Sequence, residues 1–355
     1  MISTKRLLRR AACMACLALF ARAQGAPDRA ASLLYEQGMA ADAHGEYGRA
    51  EALFAQALEL WRALGPAYAA HAASALVNLG QVRSNAGQWR AGAADLEEAL
   101  QLNRRALGAT HIRTVYNLSW LGHAALMAGD LPRAEAALAE ALAIEREHYP
   151  DDVLVGHTLL GLSVLRRRQE RFDEALAAGE DALRAALHAG PDDGVGVGMA
   201  LENVAGLHLQ ARRIDRALPL YRKARSIYER TPGPASPQFA FLLSQEGLAL
   251  LEDGKPALAE SEMSAAAALL ARMGPKAAPR LALAQTNLAR LRLRQKKYGE
   301  ADRLPSHAMG LQTEAGPATD LAATLALLAE LRKAQNRRVE SAELLARAAQ
   351  LQLAR

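Results

Sequence analysis

The chain has 355 residues, of which 51% are hydrophobic, 5% aromatic and 23% charged, with 43 Lys and Arg against 38 Asp and Glu. Five of the basic residues and none of the acidic ones fall within residues 1–23, so the rest of the chain carries 38 of each sign and is formally neutral. That balance argues against a nucleic-acid partner, which requires a basic surface to neutralise phosphates.

Residues 1–23 read as a signal peptide. Lys5, Arg6, Arg9 and Arg10 precede the apolar run Ala11 to Phe20, and the small-x-small site Ala21-Arg22-Ala23 places cleavage before Gln24. The run is ten residues long, against the roughly 20 that span a bilayer. The expectation is an exported bacterial protein, periplasmic or secreted, with no stable membrane span after cleavage; an organelle transit peptide is the competing reading. The only two cysteines, Cys13 and Cys16, spell a C-x-x-C inside this segment. Cleavage would leave no thiol for a disulfide, redox or metal site. Residues 24–30 are expected to form a short linker.

From residue 31 to 355 the sequence is a tandem repeat of about 42 residues, with approximate copies 31–65, 66–108, 109–150, 151–190, 191–233, 234–274, 275–316 and 317–355. Each copy has two blocks of apolar and small residues at helical spacing, as in Ala72, Leu76, Leu79, Gly80 and then Ala91, Leu96, Ala99, Leu100. A small residue marks the second helix of every copy: Ala50, Gly92, Ala134, Ala175, Ala217, Ala259, Ala301 and Ser341. Twelve residues earlier the first helix is also small: Gly38, Gly80, Gly122, Ser163, Ala205, Gly247, Ala289 and Ala329. These pairs predict a close crossing of the two helix backbones, where a larger side chain is overpacked. Gly45, Gly87, Gly129 and Gly254 fall between the blocks, where a left-handed residue ends the first helix. Gly-Pro pairs at Gly65-Pro66, Gly190-Pro191, Gly233-Pro234, Gly274-Pro275 and Gly316-Pro317 separate successive copies. Two departures stand near the end. Pro305 lies inside the second helix of the seventh copy and predicts a kink near Leu304, and Asn336 to Ser341 replaces the usual turn and alanine of the eighth.

The set Asn78-Leu79-Gly80, Gly87, Trp89, Gly92, Leu96 and Ala99 resembles a tetratricopeptide repeat (TPR), and the long period resembles its kinesin light chain type. Matching positions hold Leu121-Gly122, Gly129, Leu131, Ala134, Leu138 and Ala141, and again Asn287-Leu288-Ala289, Tyr298, Ala301 and Ala308. The resemblance implies an all-α fold, an α-solenoid in which about eight two-helix repeats stack as a right-handed superhelix, with the first helices lining an inner surface. Leu344, Leu345, Leu351 and Leu353 on the last helix lack an evident polar cap and suggest self-association through the C-terminal repeat.

No sequence pattern points to catalysis or to a cofactor. There is no phosphate-binding loop, no pair of histidines one helical turn apart and no Gly-x-Ser-x-Gly elbow. Gly194, Gly196 and Gly198 lack dinucleotide-fold spacing and read as a loose helix start. The pairs Asp151-Asp152 and Asp192-Asp193 follow prolines at repeat joints and read as helix caps. Asn117-Leu118-Ser119 has the form of a glycosylation sequon within a predicted helix, and the basic clusters Arg166-Arg167-Arg168 and Arg290 to Lys297 read as solvated faces.

By helical spacing, and by resemblance to the family's binding face, the inner surface comprises Asn78, Gln81, Asn85, Tyr116, Trp120, His123, His157, Arg167, Glu202, Asn203, Gln210, Phe241, Gln245, Asn287, Arg290 and Arg294. Asn78, Asn203 and Asn287 recur at one place in their copies, and an asparagine offers both a donor and acceptor to the backbone of an extended peptide. Tyr116, Trp120 and Phe241 are of the residue types that dominate interface energies. The expected function is a non-enzymatic exported scaffold that binds a peptide segment or partner protein, without cofactor; a structural subunit of an envelope assembly is the alternative.

Overall fold

Helical periodicity over the whole repeat leaves a chain of helices joined by short turns. The computed structural model describes residues 27–190, 194–315 and 318–353. The signal and cleavage-site reading, both cysteines, Asp192-Asp193 and the prolines at 191 and 317 lie outside the described residues. Among the described residues there are sixteen α-helices and no strand. In sequential pairs they are α1 (Pro27–Ala43) and α2 (Tyr47–Leu64), α3 (Ala69–Asn85) and α4 (Trp89–Leu107), α5 (Ile112–Ala128) and α6 (Leu131–His148), α7 (Val153–Arg168) and α8 (Phe172–Ala189). There follow α9 (Val195–Gln210) and α10 (Ile214–Arg230), α11 (Pro237–Glu252) and α12 (Pro256–Arg272), α13 (Ala278–Arg294) and α14 (Tyr298–Ala315), and α15 (Ala318–Ala334) and α16 (Arg338–Leu353). The all-α, tandem-hairpin fold class expected from the repeat is the one observed. Residues 27–30, expected in a linker, instead already belong to α1, which Pro27 can open because the first helical position needs no N–H donor. No helix among the described residues is long and apolar enough to cross a membrane.

Contacts divide the chain into two compact units, residues 1–124 and 125–355, with the division inside α5. In the first unit α1 to α4 and the start of α5 enclose Phe54, Trp61, Leu76, Val82, Leu96 and Leu118, all at most 3% exposed. In the second, an extended core runs through α9 to α13 around Leu201, Tyr221, Tyr228, Leu242 and Met263. Smaller clusters join α5, α6 and α7 (Leu126, Leu138, Leu162, Leu165) and α15 and α16 (Leu325, Ala348).

One turn closes all eight hairpins. Gly45, Gly87, Gly129 and Gly254 have φ of +70° to +87°, as the glycine positions predict, and Glu170, Arg212, Lys296 and Asn336 take φ of +59° to +62° at the same place in the other four copies. In each, the N–H of the next residue reaches back five positions: Gln88 to the Arg83 carbonyl at 2.8 Å, Arg171 to Arg166 at 2.9 Å, Arg337 to Arg332 at 2.8 Å. This double closure satisfies carbonyls that the end of a helix leaves unpaired.

The small-residue markers sit where the helices of a hairpin cross. A Cβ on Gly80 would lie 2.7 Å from Leu96 Cγ and 2.9 Å from the Gly92 carbonyl oxygen, and one on Gly247 2.7 Å from Met263 Cγ. Where a marker is serine, its hydroxyl is used. Ser163 Oγ donates to the Ala175 carbonyl at 2.6 Å and Ser341 Oγ to the Ala329 carbonyl at 2.8 Å, each joining the two markers of one copy.

Pro305 lies within a single helix and does not end it, and Pro219 does the same in α10. Pro305 fills the buried place that Leu96 and Leu138 hold in their copies, so its ring serves the core. The eighth turn, which departs in sequence, keeps the shared geometry through Asn336.

The basic clusters are not simply solvated. Arg166 and Arg292, with side chains 18% and 13% exposed, pair with an acid on the preceding second helix (Glu135 at 2.7 Å, Glu260 at 2.5 Å) and with one on their own (Glu174 at 3.7 Å, Glu300 at 2.9 Å). Gln169 and Gln295, three residues on, donate to the same Glu135 and Glu260. Arg332 repeats the arrangement with Asp302 and Glu340, and Arg83 with Glu51 and Asp95. Arg168 Nη1 donates to the Leu126 carbonyl at 2.6 Å. Arginine suits this role because its rigid fork reaches two carboxylates at once.

Candidate functional site

In the first unit, the first helices present a face of mixed aromatic and amide groups. Asn78 on α3 donates to Tyr35 Oη on α1 at 2.6 Å and lies 3.1 Å from Met39 Sδ. Gln81 donates to Tyr116 Oη on α5 at 3.1 Å, and the Tyr116 ring meets Trp120 edge-on, with centroids 6.2 Å apart. Met39 is 46% exposed and Tyr116 37%. Asn85 is exposed, and Trp120 and His123 are half-buried. Five residues expected on the binding face, Asn78, Gln81, Tyr116, Trp120 and His123, thus stand on neighbouring first helices of one unit.

A cavity of about 310 Å³ opens beside this face, lined by Ser32, Tyr35, Glu36, Trp61, Ala70, His71, Ser74 and Arg113. Tyr35 and His71 flank the Trp61 ring, both at 5.4 Å between centroids. Burial raises the Tyr35 hydroxyl pKa, while its hydrogen bond with Asn78 and the nearby Arg113 charge oppose the shift. None of the cavity residues was singled out from the sequence. A signal was available: the place of Trp61 in its copy is filled by Asn103, Glu145 and Tyr228 in others, an uncommonly variable core position.

In the second unit the expected residues fall into two groups. Asn203 donates to Ser163 Oγ at 2.7 Å, and Asn287, 8% exposed, donates to Ser244 Oγ and Gln245 Oε1, both at 3.0 Å. Together with Asn78 they each donate to the preceding first helix, so the asparagine row ties neighbouring copies. Arg294 pairs with Glu252 and reaches the Leu251 carbonyl at 3.4 Å. Arg167 and Gln210 are exposed, whereas His157, Phe241 and Arg290 are half-buried. Burial lowers the His157 pKa.

Glu202 accepts a hydrogen bond from Tyr228 Oη at 3.0 Å, and burial pushes its carboxyl pKa up to about 7 although Tyr228 and Arg280 oppose the shift. Glu145, fully buried, is likewise pushed up to about 7 by burial, with Thr158 Oγ1 donating to it at 2.8 Å. Both lie in helix packing. Among the described residues no three His, Cys, Asp or Glu side chains are grouped to hold a metal ion.

Other sequence features have structural places. Asp152 Oδ1 accepts from the Leu154 N–H at 2.9 Å and caps α7, while Asp151 meets His188 Nε2 at 2.9 Å. Gly194 precedes α9 as its cap, and a Cβ on Gly198 would lie 2.6 Å from the Tyr228 ring. Asn117 is completely buried, which keeps the sequon from a glycosyl transferase in the folded chain.

This geometry defines an α-solenoid built of two-helix repeats. Residues 71–147 and 115–187 match one model of the tetratricopeptide repeat and residues 197–238 a second, so the chain carries tetratricopeptide repeats over most of its central part. Among solved structures it is similar to a Rap protein complexed with competence and sporulation factor, with 12% identity, a TM-score of 0.66, and coverage of 84% of this chain and 79% of that one. It is also similar to the Rap conjugation gene regulator of plasmid pLS20 in complex with the Phr* peptide (16% identity, TM-score 0.65, 80% and 75% covered). A kinesin light chain-type array of nearly identical TPR-like repeats from Podosopora anserina aligns at 14% identity and a TM-score of 0.45, over 56% of this chain and 95% of that one. No curated protein matches the sequence. At these identities the solved structures speak to the fold alone.

Proposed function

We propose that the chain is an exported, non-enzymatic scaffold that holds a peptide segment or partner protein against the first helices of its repeats. The observation that carries this reading is the face of the first unit, where exposed Met39 and Tyr116 stand with Asn78, Gln81 and Trp120 beside the cavity walled by Tyr35 and Trp61. Aromatic and amide groups in this combination suit an extended chain, since the rings bury side chains and the amides meet backbone groups. The two Rap structures, named as complexes with a factor and with a peptide, support it by analogy of fold. Export rests on the basic-apolar-small pattern of residues 1–23.

The test is selection of peptides from a display library on the whole chain, repeated with Tyr116→Ala combined with Trp120→Ala. Peptides retained by the wild type should bind the double variant at least about tenfold more weakly, the loss expected of interface aromatics. Equal binding by both removes this face as the working surface. Export is checked separately by N-terminal sequencing of the chain from the periplasmic or culture fraction of a bacterial host, which should begin at Gln24.

A further inference from the structure

Positions that are buried in every interior copy are exposed on the first and last helices described. Leu33 of α1 is 55% exposed, whereas Ala75, Thr158, Ala200, Leu242, Ala284 and Thr324, at the same place in their first helices, are at most 2% exposed. Gln37 and Ala40 continue the exposed stripe one and two turns on, where α7 has Leu162 and Leu165, 9% and 0% exposed. At the other end Leu345 of α16 is 51% exposed. Its counterparts Phe54, Leu96, Leu138, Tyr221 and Met263 are all 0% exposed.

Inside the chain these two sets of positions meet. Leu138 of α6 packs with Leu162 and Leu165 of the first helix that follows it. The inner side of α16 is already occupied, since Ser341 bonds to Ala329 and Ala348 packs with Leu321 and Leu325 of α15. What remains open on α16 is the side that a following first helix covers elsewhere, and it carries Leu345 with exposed Ala342 and Ala349. The residues at the centre of both stripes are uncharged, and charge appears only one turn before each, at exposed Arg29 and Arg338.

We propose that the two stripes are halves of one contact, and that a second copy of the chain docks head to tail, with the Leu33 face of its α1 on the Leu345 face of α16. The occupant is specified by the repeat itself: the surface that covers this side of a second helix is a first helix, and α1 presents that surface uncovered. Such a contact is heterologous, so each copy retains one open stripe and further copies can add. The inference goes beyond the peptide-binding reading and does not depend on it.

The test uses the full chain, Leu33→Lys, Leu345→Lys and an equimolar mixture of the two variants, with mass followed by sedimentation over about three decades of concentration. Wild-type mass should rise past two chains. Each variant alone should stay at one chain, with association weakened at least about tenfold by a lysine at the centre of the contact. The mixture should form a two-chain species and nothing larger, because Leu33→Lys retains only its tail face and Leu345→Lys only its head face. Single-chain wild type at every concentration overturns the proposal, and so does a mixture that stays single. Wild-type-like pairing by Leu33→Lys would mean tail-to-tail packing and overturns it too. If either variant loses its helical signal, Gln37→Lys or Ala349→Lys on the same stripes replaces it.

Discussion

Replacing Gly80 by alanine should destabilise the α3–α4 hairpin, although alanine is the better helix former. In a helix interior the exchange is worth about 1 kcal/mol in favour of alanine. At Gly80, however, the new methyl would sit 2.7 Å from Leu96 Cγ and 2.9 Å from the Gly92 backbone oxygen. Leu96 can turn aside, but the Gly92 carbonyl moves only if the whole of α4 shifts. Overpacking of this kind costs about 1–3 kcal/mol, which leaves a net loss of up to about 2 kcal/mol. Gly206, also inside a first helix, supplies the control, because its Cβ would meet only Tyr221 Oη at an ordinary 3.6 Å. Gly206→Ala should therefore stabilise its own hairpin by about 0.5–1 kcal/mol. Since repeat arrays need not unfold as one unit, the measurement should be local: amide hydrogen exchange of peptides from α3 and α4 for the first variant, and from α9 and α10 for the second. Slower exchange in Gly80→Ala, matching that of Gly206→Ala, would refute the close crossing.

Glu145 has a folded-state pKa of about 7, above that of an unfolded glutamate, so the folded chain holds the extra proton between about pH 4.5 and 7. Stability should fall as pH rises through that window, and Glu145→Gln, which can still accept from Thr158, should reduce the loss between pH 5 and 8 by about 2 kcal/mol in denaturation at the two pH values. Glu170→Gly should raise stability by about 0.5–1 kcal/mol, because φ of +61° strains any side chain with a Cβ; a lower denaturation midpoint would count against it. Arg292→Ala should cost about 1 kcal/mol, since it leaves partly exposed Glu260 and exposed Glu300 without their shared partner, a loss that solvent screens, and restoration by lysine should be incomplete. Full rescue by Arg292→Lys would remove the geometric part of that argument.

The period, the markers and four of the eight turns were legible because each leaves a residue type that little else explains: glycine or alanine where backbones cross, glycine where φ is positive. The other four turns were hidden in Glu170, Arg212, Lys296 and Asn336. A left-handed residue with a side chain costs on the order of 1 kcal/mol, which packing on both sides of a turn can offset, so composition carries no mark of it. The asparagine row was visible in sequence, but its bonding was not. Spacing locates Asn78, Asn203 and Asn287 on a face, whereas their partners Tyr35, Ser163 and Ser244 are about one copy away and become neighbours only when copies stack. The Trp61 cavity was missed for a related reason: it is assembled from α1, the end of α2, α3 and the start of α5, and no single helix pattern records it.

The Asn78–Tyr35 and Asn287–Ser244 bonds each join residues 43 positions apart, and that is the widest spacing among the side-chain hydrogen bonds described. Partners this near in the chain mean that little loop entropy is lost before a contact forms. A hairpin can close its turn and cross its helices as soon as its own residues are available, then gain its stacking contacts when the next one follows. Growth from the N-terminus can thus lay each new copy on a completed one, and none of the side-chain hydrogen bonds among the described residues makes an early segment wait for a partner from the far end.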